Sequence, residues 1–253
     1  MSLDTSILLI VATFFVAFGA SILSSISGGG GGFIMTPFLI LIGMSPAQAV
    51  ATGKFGGIGT TFGSIGAFRG KGFIQTGLVW PLIIITIVTS AIAGLTIPQI
   101  NADLFQKIIG VLLIILVPTL FIKKQTAHFS TRSKKSLWLL YAGYGVLSLM
   151  QATFGTGLAT FVTLLLMLGF GLTPLQANAT KRVVQGVQAV LVGVITALQG
   201  LVFFAFAVAA MFGAIVGSYV GSRIAIRGGD KLVKIFLAGF MVISGIILFL
   251  SPA

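Results

Sequence analysis

Apolar runs long enough to cross a lipid bilayer recur along this chain. Residues 78–97, 105–122 and 201–220 are examples, and about 20 apolar residues cross a hydrocarbon core about 30 Å thick. Only 7% of the 253 residues are charged, whereas 57% are hydrophobic. That composition lies far outside the range of soluble globular domains. The sequence therefore predicts an all-α integral membrane protein.

The positive charge of the chain is concentrated in short linkers between the apolar runs. The formal net charge is +12 at pH 7, a value that can indicate nucleic-acid binding. Most Lys and Arg residues, however, lie in three loops, and this bias is typical of the cytoplasmic loops of membrane proteins. We therefore predict no nucleic-acid partner. We predict a multi-pass membrane protein with residues 69–76, 123–136 and 223–234 on the cytoplasmic side.

The residues that the chain lacks exclude several classes of chemistry. There is no Cys, which excludes disulfides and thiolate metal sites. His128 is the single histidine and lies in a basic loop. Because no Cys, His or carboxylate lies within the apolar runs, we predict no enzyme activity, no metal site and no cofactor. The chain also has no Walker-type phosphate loop, so ATP cannot drive it directly.

The sequence matches itself when it is shifted by 128 residues. Segment 45–54 lies over segment 173–182 with Pro, Gln, two Ala and Thr identical, and Lys54 falls on Arg182. The same shift pairs Gly29 with Gly157, Phe33 with Phe161, Gly43 with Gly171, and Leu104 with Leu232. We therefore predict a single polytopic membrane domain over residues 1–253. It contains one repeat at 6–122, a linker at 123–136 and a second repeat at 137–250.

Each predicted repeat contains five apolar segments, and the second of the five is short. The short segments, 33–43 and 158–170, have 11 and 13 residues, which at 1.5 Å per residue covers about half of the hydrocarbon thickness. Each follows a glycine-rich break, where a helix would be interrupted. The predicted segments are 6–26, 33–43, 46–68, 77–97 and 104–122, then 137–154, 158–170, 174–197, 201–222 and 232–250.

Loop charge distinguishes two ways of placing the repeats in the membrane. If the short segments do not cross, the repeats are parallel and the loops 69–75 and 223–234 lie on opposite sides. If both cross, the repeats are inverted and all three basic linkers lie on one side. The positive-inside rule favours the inverted arrangement, with both termini outside. Whether the short segments cross completely stays open.

Lys54, Lys181 and Arg182 lie inside apolar segments. The only acids are Asp4, Asp103 and Asp230, and all three fall at segment ends or in loops. A cation at membrane depth costs at least ~2.5–3.5 kcal/mol and usually faces a cavity or a bundle interior with a partner. Because the chain supplies no evident partner, we predict that the missing negative charge is an arriving anion.

Other candidates for the anion site surround these cations. The glycine breaks would expose backbone N–H groups at the positive end of a helix, which suits an anion. Asn178, Lys181, Gln185 and Gln188 recur at spacings of three or four and so share one helical face. The predicted substrate-binding residues are Lys54, Arg182, Lys181, Thr52, Thr180, Gln48, Gln176, Asn178, Gln185, Gln188, Gly29, Gly30, Gly31, Gly155, Thr156 and Gly157.

Structural alternatives stay open for most of these residues. Lys54 and Arg182 could bind the carbonyls that end a broken helix. Gln48 and Gln176 could make helix-start hydrogen bonds without touching a ligand, and the Thr hydroxyls could bond back to their own helices. The glycines could serve close packing alone.

The repeated motif resembles that of a known family. It consists of the glycine run 28–32, Phe33, Pro37 and the Pro-Ala-Gln-Ala-Val-Ala-Thr segment 46–52, with an echo over residues 155–182. This pattern resembles the TauE/SafE sulfite-exporter family over essentially the whole chain. The resemblance implies transport of sulfur-containing anions such as sulfite or organosulfonates, in a prokaryotic cell (inner) membrane. The family is often described with seven or eight spans, whereas the segment count here is ten.

These observations predict a secondary transporter of small anions, most simply sulfur oxyanions or organosulfonates such as sulfite and sulfoacetate. Access would alternate at a midplane site between the repeats. A passive anion channel shares the cationic centre and is the alternative. A non-transporting scaffold would leave the paired cations unexplained. The sequence leaves open the anion, the direction of transport, the coupling ion and the oligomeric state, a homo-oligomer included.

Overall fold

The computed structural model describes residues 3–29, 31–96, 134–154 and 158–250, and these residues are helical with short turns and no strand. The predicted segment 104–122, most of the linker 123–136, Gly30, Gly155, Thr156 and Gly157 lie outside the described residues. The helices are α1 (Leu3–Ser27), α2 (Gly32–Leu41), α3 (Pro46–Gly56), α4 (Ile58–Phe68), α5 (Thr76–Thr96), α6 (Lys134–Phe154), α7 (Ala159–Leu164), α8 (Pro174–Leu198) and α9 (Phe204–Leu250).

Four helical stretches within the described ranges are long and apolar enough to cross a membrane. They are Ile7–Ser27, Thr76–Leu95, Pro174–Leu198 and Phe204–Gly239. Large apolar side chains such as Phe15, Trp80 and Phe212 are exposed on their surfaces, as expected where lipid replaces water around the protein. The prediction of an all-α, multi-pass membrane protein is confirmed.

The Pro-x-Gln motif recurs because it starts two helices in the same way. Ser45 and Thr173 each accept a hydrogen bond from the backbone N–H three residues later, and Gln48 and Gln176 bond back to complete two capping boxes. Proline occupies the first helical position in both cases, where its missing N–H costs nothing. Local sequence thus fixes where α3 and α8 begin.

Glycine geometry ends the short helix before each capping box. Gly43 has φ 99° and Gly171 has φ 75°, a left-handed conformation that other residues adopt at a steric cost. Gly43 follows α2, and Gly171 follows the π-helical turn Leu165–Gly169 that extends α7. The two short helices are therefore closed at positions related by the 128-residue shift.

One predicted segment and one predicted loop differ from the observed helices. Segment 46–68 is divided at Gly57 into α3 and α4, whereas its counterpart α8 is continuous. Segments 201–222 and 232–250 lie on two helical parts of α9 that meet at a kink at Gly229, and helix replaces most of the predicted loop 223–234 between them. Gly229, with φ 65° and ψ −167°, adopts a conformation that favours glycine, whereas Gly57 keeps φ −62° and ψ −16°, which are close to helical values.

The helices form two groups. Helices α1, α2, α3 and α4 pack with α9 and constitute bundle one, whereas α6, α7 and α8 pack with α5 and constitute bundle two. Under the 128-residue shift α1 corresponds to α6, α3 and α4 to α8, and α5 to the first part of α9. The long helix α5 or α9 thus packs in the bundle formed by the opposite half of the chain. Helix α8 also contacts α3 and α4, which joins the two bundles.

Bundle one is held by glycine contacts. A Cβ atom at Gly213 or Gly217 of α9 would lie 2.2 Å from a carbonyl oxygen of α1, that of Phe14 or Phe18. On the other side of α9, a Cβ at Gly59 or Gly63 of α4 would lie 2.1 Å from a carbonyl oxygen of α9. No real Cβ fits at these distances. Small residues at four-residue spacing therefore bring three helices into backbone contact.

Bundle two is held by larger side chains and by hydroxyl pairs. Leu82, Val162, Leu166 and Phe170 form part of its buried core. Between α5 and α6, the hydroxyl of Tyr144 bonds Thr86 at 2.7 Å, and two further hydroxyls, of Thr89 and Ser148, bond at 2.8 Å. Buried hydroxyls in an apolar setting need such partners.

Candidate functional site

A cavity of about 70 Å³ lies in bundle one, against the surface that α8 presents to it. Small residues form much of its wall, among them Ala17, Gly31 and Gly53. The polar side chains that line it come from five helices of both halves of the chain. They are Ser21, Ser24, Thr36, Lys54, Thr60, Arg182, Gln185 and Gln188. The cavity is therefore a polar, cationic chamber between apolar helix surfaces.

Lys54 lies in the last turn of α3, lines the cavity and is only 4% exposed. Its Nζ donates a hydrogen bond to the carbonyl oxygen of Gln151 at 2.6 Å. Gln151 is one of the last four residues of α6, and such residues have carbonyls without intrahelical partners. The ammonium group is thus stabilised by the negative end of a helix dipole rather than by a carboxylate.

Arg182 lies about two turns into α8 and is 2% exposed. Its guanidinium group donates to the Ser24 carbonyl oxygen, to Ser24 Oγ at 3.1 Å and to Gln185 Oε1 at 3.4 Å. Its Nε is buried and has no hydrogen-bond partner among the residues that the structure describes. Since a guanidinium carries five N–H donors, Arg182 has donor capacity to spare beside the cavity.

The two cations occupy equivalent places. Ser24 belongs to the last turn of α1, as Gln151 belongs to the last turn of α6. Each cation therefore binds the C-terminal turn of the first helix of the opposite half of the chain. Lys54 and Arg182 therefore do bind carbonyl groups at helix ends, which is the structural alternative given for them in the sequence analysis. Both side chains also line the cavity.

Gln185 and Gln188 bring amide groups to the cavity wall. Gln188 accepts from Gln151 Nε2 at 3.1 Å and donates to the Ser148 carbonyl oxygen at 3.1 Å. Gln151 thus touches Lys54 through its carbonyl group and Gln188 through its side chain. This network fixes the position of Lys54 relative to α8.

Lys181 and Asn178 lie on α8 outside this cavity. Lys181 is 2% exposed, and its Nζ donates to Thr163 Oγ1 at 2.7 Å and to the Ala159 carbonyl oxygen at 3.2 Å. Asn178 Nδ2 donates to the Ser25 carbonyl oxygen at 2.7 Å. Its Oδ1 is buried, with no hydrogen-bond partner in the described part of the chain.

Four other predicted site residues do not line the cavity and make hydrogen bonds near helix starts. Gln48 and Gln176 belong to the capping boxes. Thr52 Oγ1 accepts from the Phe203 N–H at 3.1 Å, and Thr180 Oγ1 accepts from the Gln75 N–H at 3.0 Å. The 128-residue shift places Thr52 on Thr180 and Gln75 on Phe203, so the two Thr contacts are equivalent. Each ties the start of α5 or α9 to the opposite half of the chain.

The first glycine break packs against the start of α7. A Cβ at Gly29 would lie 2.9 Å from the backbone nitrogen of Thr160, so only glycine fits this approach. Gly31 lines the cavity. Gly30, Gly155, Thr156 and Gly157 were also predicted here, and they lie outside the described residues.

Sequence reasoning missed the hydroxyl side of the cavity. Ser21 Oγ lies 3.4 Å from Thr60 Oγ1, and Ser24 bonds Arg182. Ser21, Ser24 and Ser25 recur at helical spacing within an apolar run, and this polar stripe could have indicated the site. The role of the Gln151 carbonyl left no such signal, because every residue has a carbonyl group.

The carboxylate of Asp230 does not line the cavity. Asp230 Oδ1 accepts a hydrogen bond from the Leu175 N–H at 2.9 Å and so stabilises the N-terminus of α8. Arg182 lies seven residues further along α8, which corresponds to about 10 Å. Within the described ranges, no group of three His, Asp or Glu side chains that could hold a metal ion occurs.

Comparisons with known proteins agree with the motif. The family model described as sulfite exporter TauE/SafE matches residues 13–248. A probable membrane transporter protein of Haemophilus influenzae is 27% identical over 95% of this chain and 95% of its own length. The probable membrane transporter protein YfcA of Escherichia coli K12 is 26% identical over 90% of this chain and 84% of its own. No solved structure matches significantly. The chain belongs to the sulfite exporter TauE/SafE family of membrane transport proteins.

Proposed function

We propose that the chain is a secondary transporter of small anions, with sulfur oxyanions and organosulfonates such as sulfite and sulfoacetate as its substrate class. The observation that carries this proposal is the cavity lined by both Lys54 and Arg182. No carboxylate of the described residues lines it. The names of the family and of the relatives support membrane transport.

Charge balance favours an anion as the occupant. Both cations are almost fully buried and are held by carbonyl, hydroxyl and amide oxygens. Dipoles reduce the cost of burying a charge, but they do not neutralise it. An oxyanion in the cavity would supply the missing charge. The guanidinium fork of Arg182 can bind two of its oxygens, and Lys54 can act as a point charge.

The size and polarity of the cavity favour a small solute. About 70 Å³ accommodates several waters or one small oxyanion with its remaining hydration. Gln185, Gln188 and the hydroxyls of Ser21, Ser24 and Thr60 can donate hydrogen bonds to oxygen atoms. An organosulfonate would place its sulfonate group here and its carbon chain along the alanine and glycine wall.

Two inverted repeats, 6–122 and 137–250, would provide alternating access at this site. The matched capping boxes, the matched Thr hydrogen bonds and the exchange of α5 and α9 between bundles support a duplicated unit. The basic loops 69–76, 123–136 and 223–234 would lie on the cytoplasmic side of a prokaryotic inner membrane. Rocking of bundle one against α8 would then expose the cavity to each side in turn.

The driving force must come from a gradient or from the potential. Moving one charge through 100 mV is worth about 2.3 kcal/mol, and an inside-negative potential favours anion export. Export is therefore favoured for a carrier that moves net negative charge. Countertransport of a second anion would instead make the direction depend on the two concentrations.

Transport in proteoliposomes tests the proposal. Lys54→Ala and Arg182→Ala should each lower sulfite flux at least about 10-fold, because each leaves one charge of the anion unpaired at depth. Lys71→Ala is the matched control: it removes an exposed loop cation and should transport like the parent. Parent-like flux in both cavity variants would overturn the site. Counterflow separates carrier from channel, since a pore accumulates no label against a preloaded excess.

A further inference from the structure

We infer that Lys181 fills the space in the second half that corresponds, under the 128-residue shift, to the open part of the cavity around Gly53, so that among the described residues this space is open in one half and closed in the other. This difference between the two halves is independent of the solute that the open cavity binds.

The correspondence follows from three positions. Gly31, Met35 and Gly53 all line the open cavity. The 128-residue shift places Ala159, Thr163 and Lys181 at the same positions of the second half. Lys181 Nζ contacts the other two members of this set, the Ala159 carbonyl oxygen and Thr163 Oγ1. The long side chain therefore lies where the first half has empty space.

The size of the residue at one shared position, Gly53 in the first half and Lys181 in the second, determines whether this space is open or filled. At Gly53 a Cβ would meet its nearest neighbours, Leu39 Cδ1 and Met35 Cγ, at 3.9 and 4.0 Å. These are ordinary contact distances, so a Cβ fits at Gly53, which lines the open cavity. In the second half the side chain of Lys181 occupies the equivalent space, and Lys181, Ala159 and Thr163 are all buried.

The pocket of Lys181 is built for an ammonium group. Thr163 Oγ1 accepts from Lys181 and has the Gly28 and Ala159 carbonyl oxygens, each at 3.0 Å, as acceptors for its own proton. Of the two oxygens that the ammonium group contacts among the described residues, the Ala159 carbonyl oxygen is an acceptor only, and Thr163 Oγ1 can direct its own proton to a carbonyl oxygen. Lys181 acts as a permanent internal occupant, whereas Lys54 and Arg182 line space that a solute can enter.

Cysteine accessibility tests this inference directly, because the chain contains no Cys. Met35→Cys and Thr163→Cys introduce one thiol at each of the equivalent positions. The rate of modification by 2-hydroxyethyl methanethiosulfonate is followed by intact mass in detergent. A buried thiol reacts only when the structure opens locally, so Met35→Cys should react at least about tenfold faster than Thr163→Cys.

Substitution of Lys181 should then open the second pocket. Combined with Thr163→Cys, Lys181→Ala should raise the modification rate at least about tenfold, because polar walls around the vacated space favour water. Lys181→Met is the matched control: it keeps the volume and should leave the rate low. Equal rates for Met35→Cys and Thr163→Cys would overturn the inference. So would an unchanged rate in a Lys181→Ala variant that elutes as a folded protein.

The converse substitution gives a second test that does not require loss of a buried lysine. Gly53→Met should fill the open cavity and slow the modification of Met35→Cys at least about tenfold, because the thiol then reacts only through local opening. An unchanged rate would show that this position does not determine whether the pocket is open, and would overturn the inference.

Discussion

Bundle one and bundle two are built from equivalent helices but are held together by different contacts. In bundle one, Gly213 and Gly217 bring α9 against the backbone of α1. The 128-residue shift places Ile85 and Thr89 at these positions in bundle two, where Thr89 bonds Ser148. The pair α1 and α9 is therefore stabilised by backbone proximity, whereas the equivalent pair α6 and α5 is stabilised by side-chain hydrogen bonds.

The difference bears on where the cavity forms. Helices in backbone contact hold α1, α4 and α9 in fixed positions without large side chains, and small residues such as Ala17 and Ala210 then line the cavity. In bundle two, the corresponding core contains Leu82, Leu166 and Phe170, and Lys181 fills the remaining space. Small residues on these helices thus have two results, close packing at the glycine contacts and open space at the site.

Among the variants that test this comparison, the largest loss of stability is expected at a glycine contact. Gly217→Ala should destabilise the protein by about 1–3 kcal/mol or more, because a Cβ would lie 2.2 Å from the Phe18 carbonyl oxygen and the helices must separate. Thermal unfolding of the purified protein measures the loss. Gly66→Ala is the control, since its Cβ would meet Tyr219 Cδ2 at 3.8 Å. Equal stability of the two variants would contradict the importance of backbone contact.

A smaller effect is expected at the hydroxyl contacts of bundle two. Tyr144→Phe removes the 2.7 Å hydrogen bond to Thr86 and should cost about 0.6 kcal/mol, at most about 1.7, as measured for hydrogen bonds between membrane helices. Denaturant unfolding in mixed micelles can resolve this change. Tyr219→Phe is the matched control, because the Tyr219 hydroxyl bonds Arg223 at an exposed site. A loss for Tyr144→Phe as large as that for Gly217→Ala would remove the distinction between the bundles.

Much of the local structure could be predicted from the sequence. The two Pro-x-Gln motifs are self-contained signals, because their capping boxes join residues three apart. Lys54 and Arg182 could be singled out because cations in apolar runs are costly. The division of segment 46–68 at Gly57 and the helix that continues through most of the loop 223–234 could not be predicted, because a glycine in such a run does not reveal whether the helix stops, bends or continues.

The roles of the other polar residues could not be predicted from the sequence. Thr52 and Thr180 look like site residues because they neighbour the cations, yet their partners are N–H groups 151 and 105 residues away. Lys181 and Arg182 are adjacent, but one lies in a filled pocket and the other lines the cavity. These differences depend on long-range packing, which helical periodicity does not encode.

Anomalous diffraction from crystals grown with selenite, the selenium analogue of sulfite, tests the central claim most directly. We expect a selenium peak inside the cavity of bundle one, with oxygen atoms within about 3 Å of Lys54 Nζ and of the Arg182 guanidinium nitrogens. The peak should be absent from a Lys54→Ala/Arg182→Ala variant. A peak bound only outside the cavity, or one that persists in the cavity of the double variant, would contradict the claim.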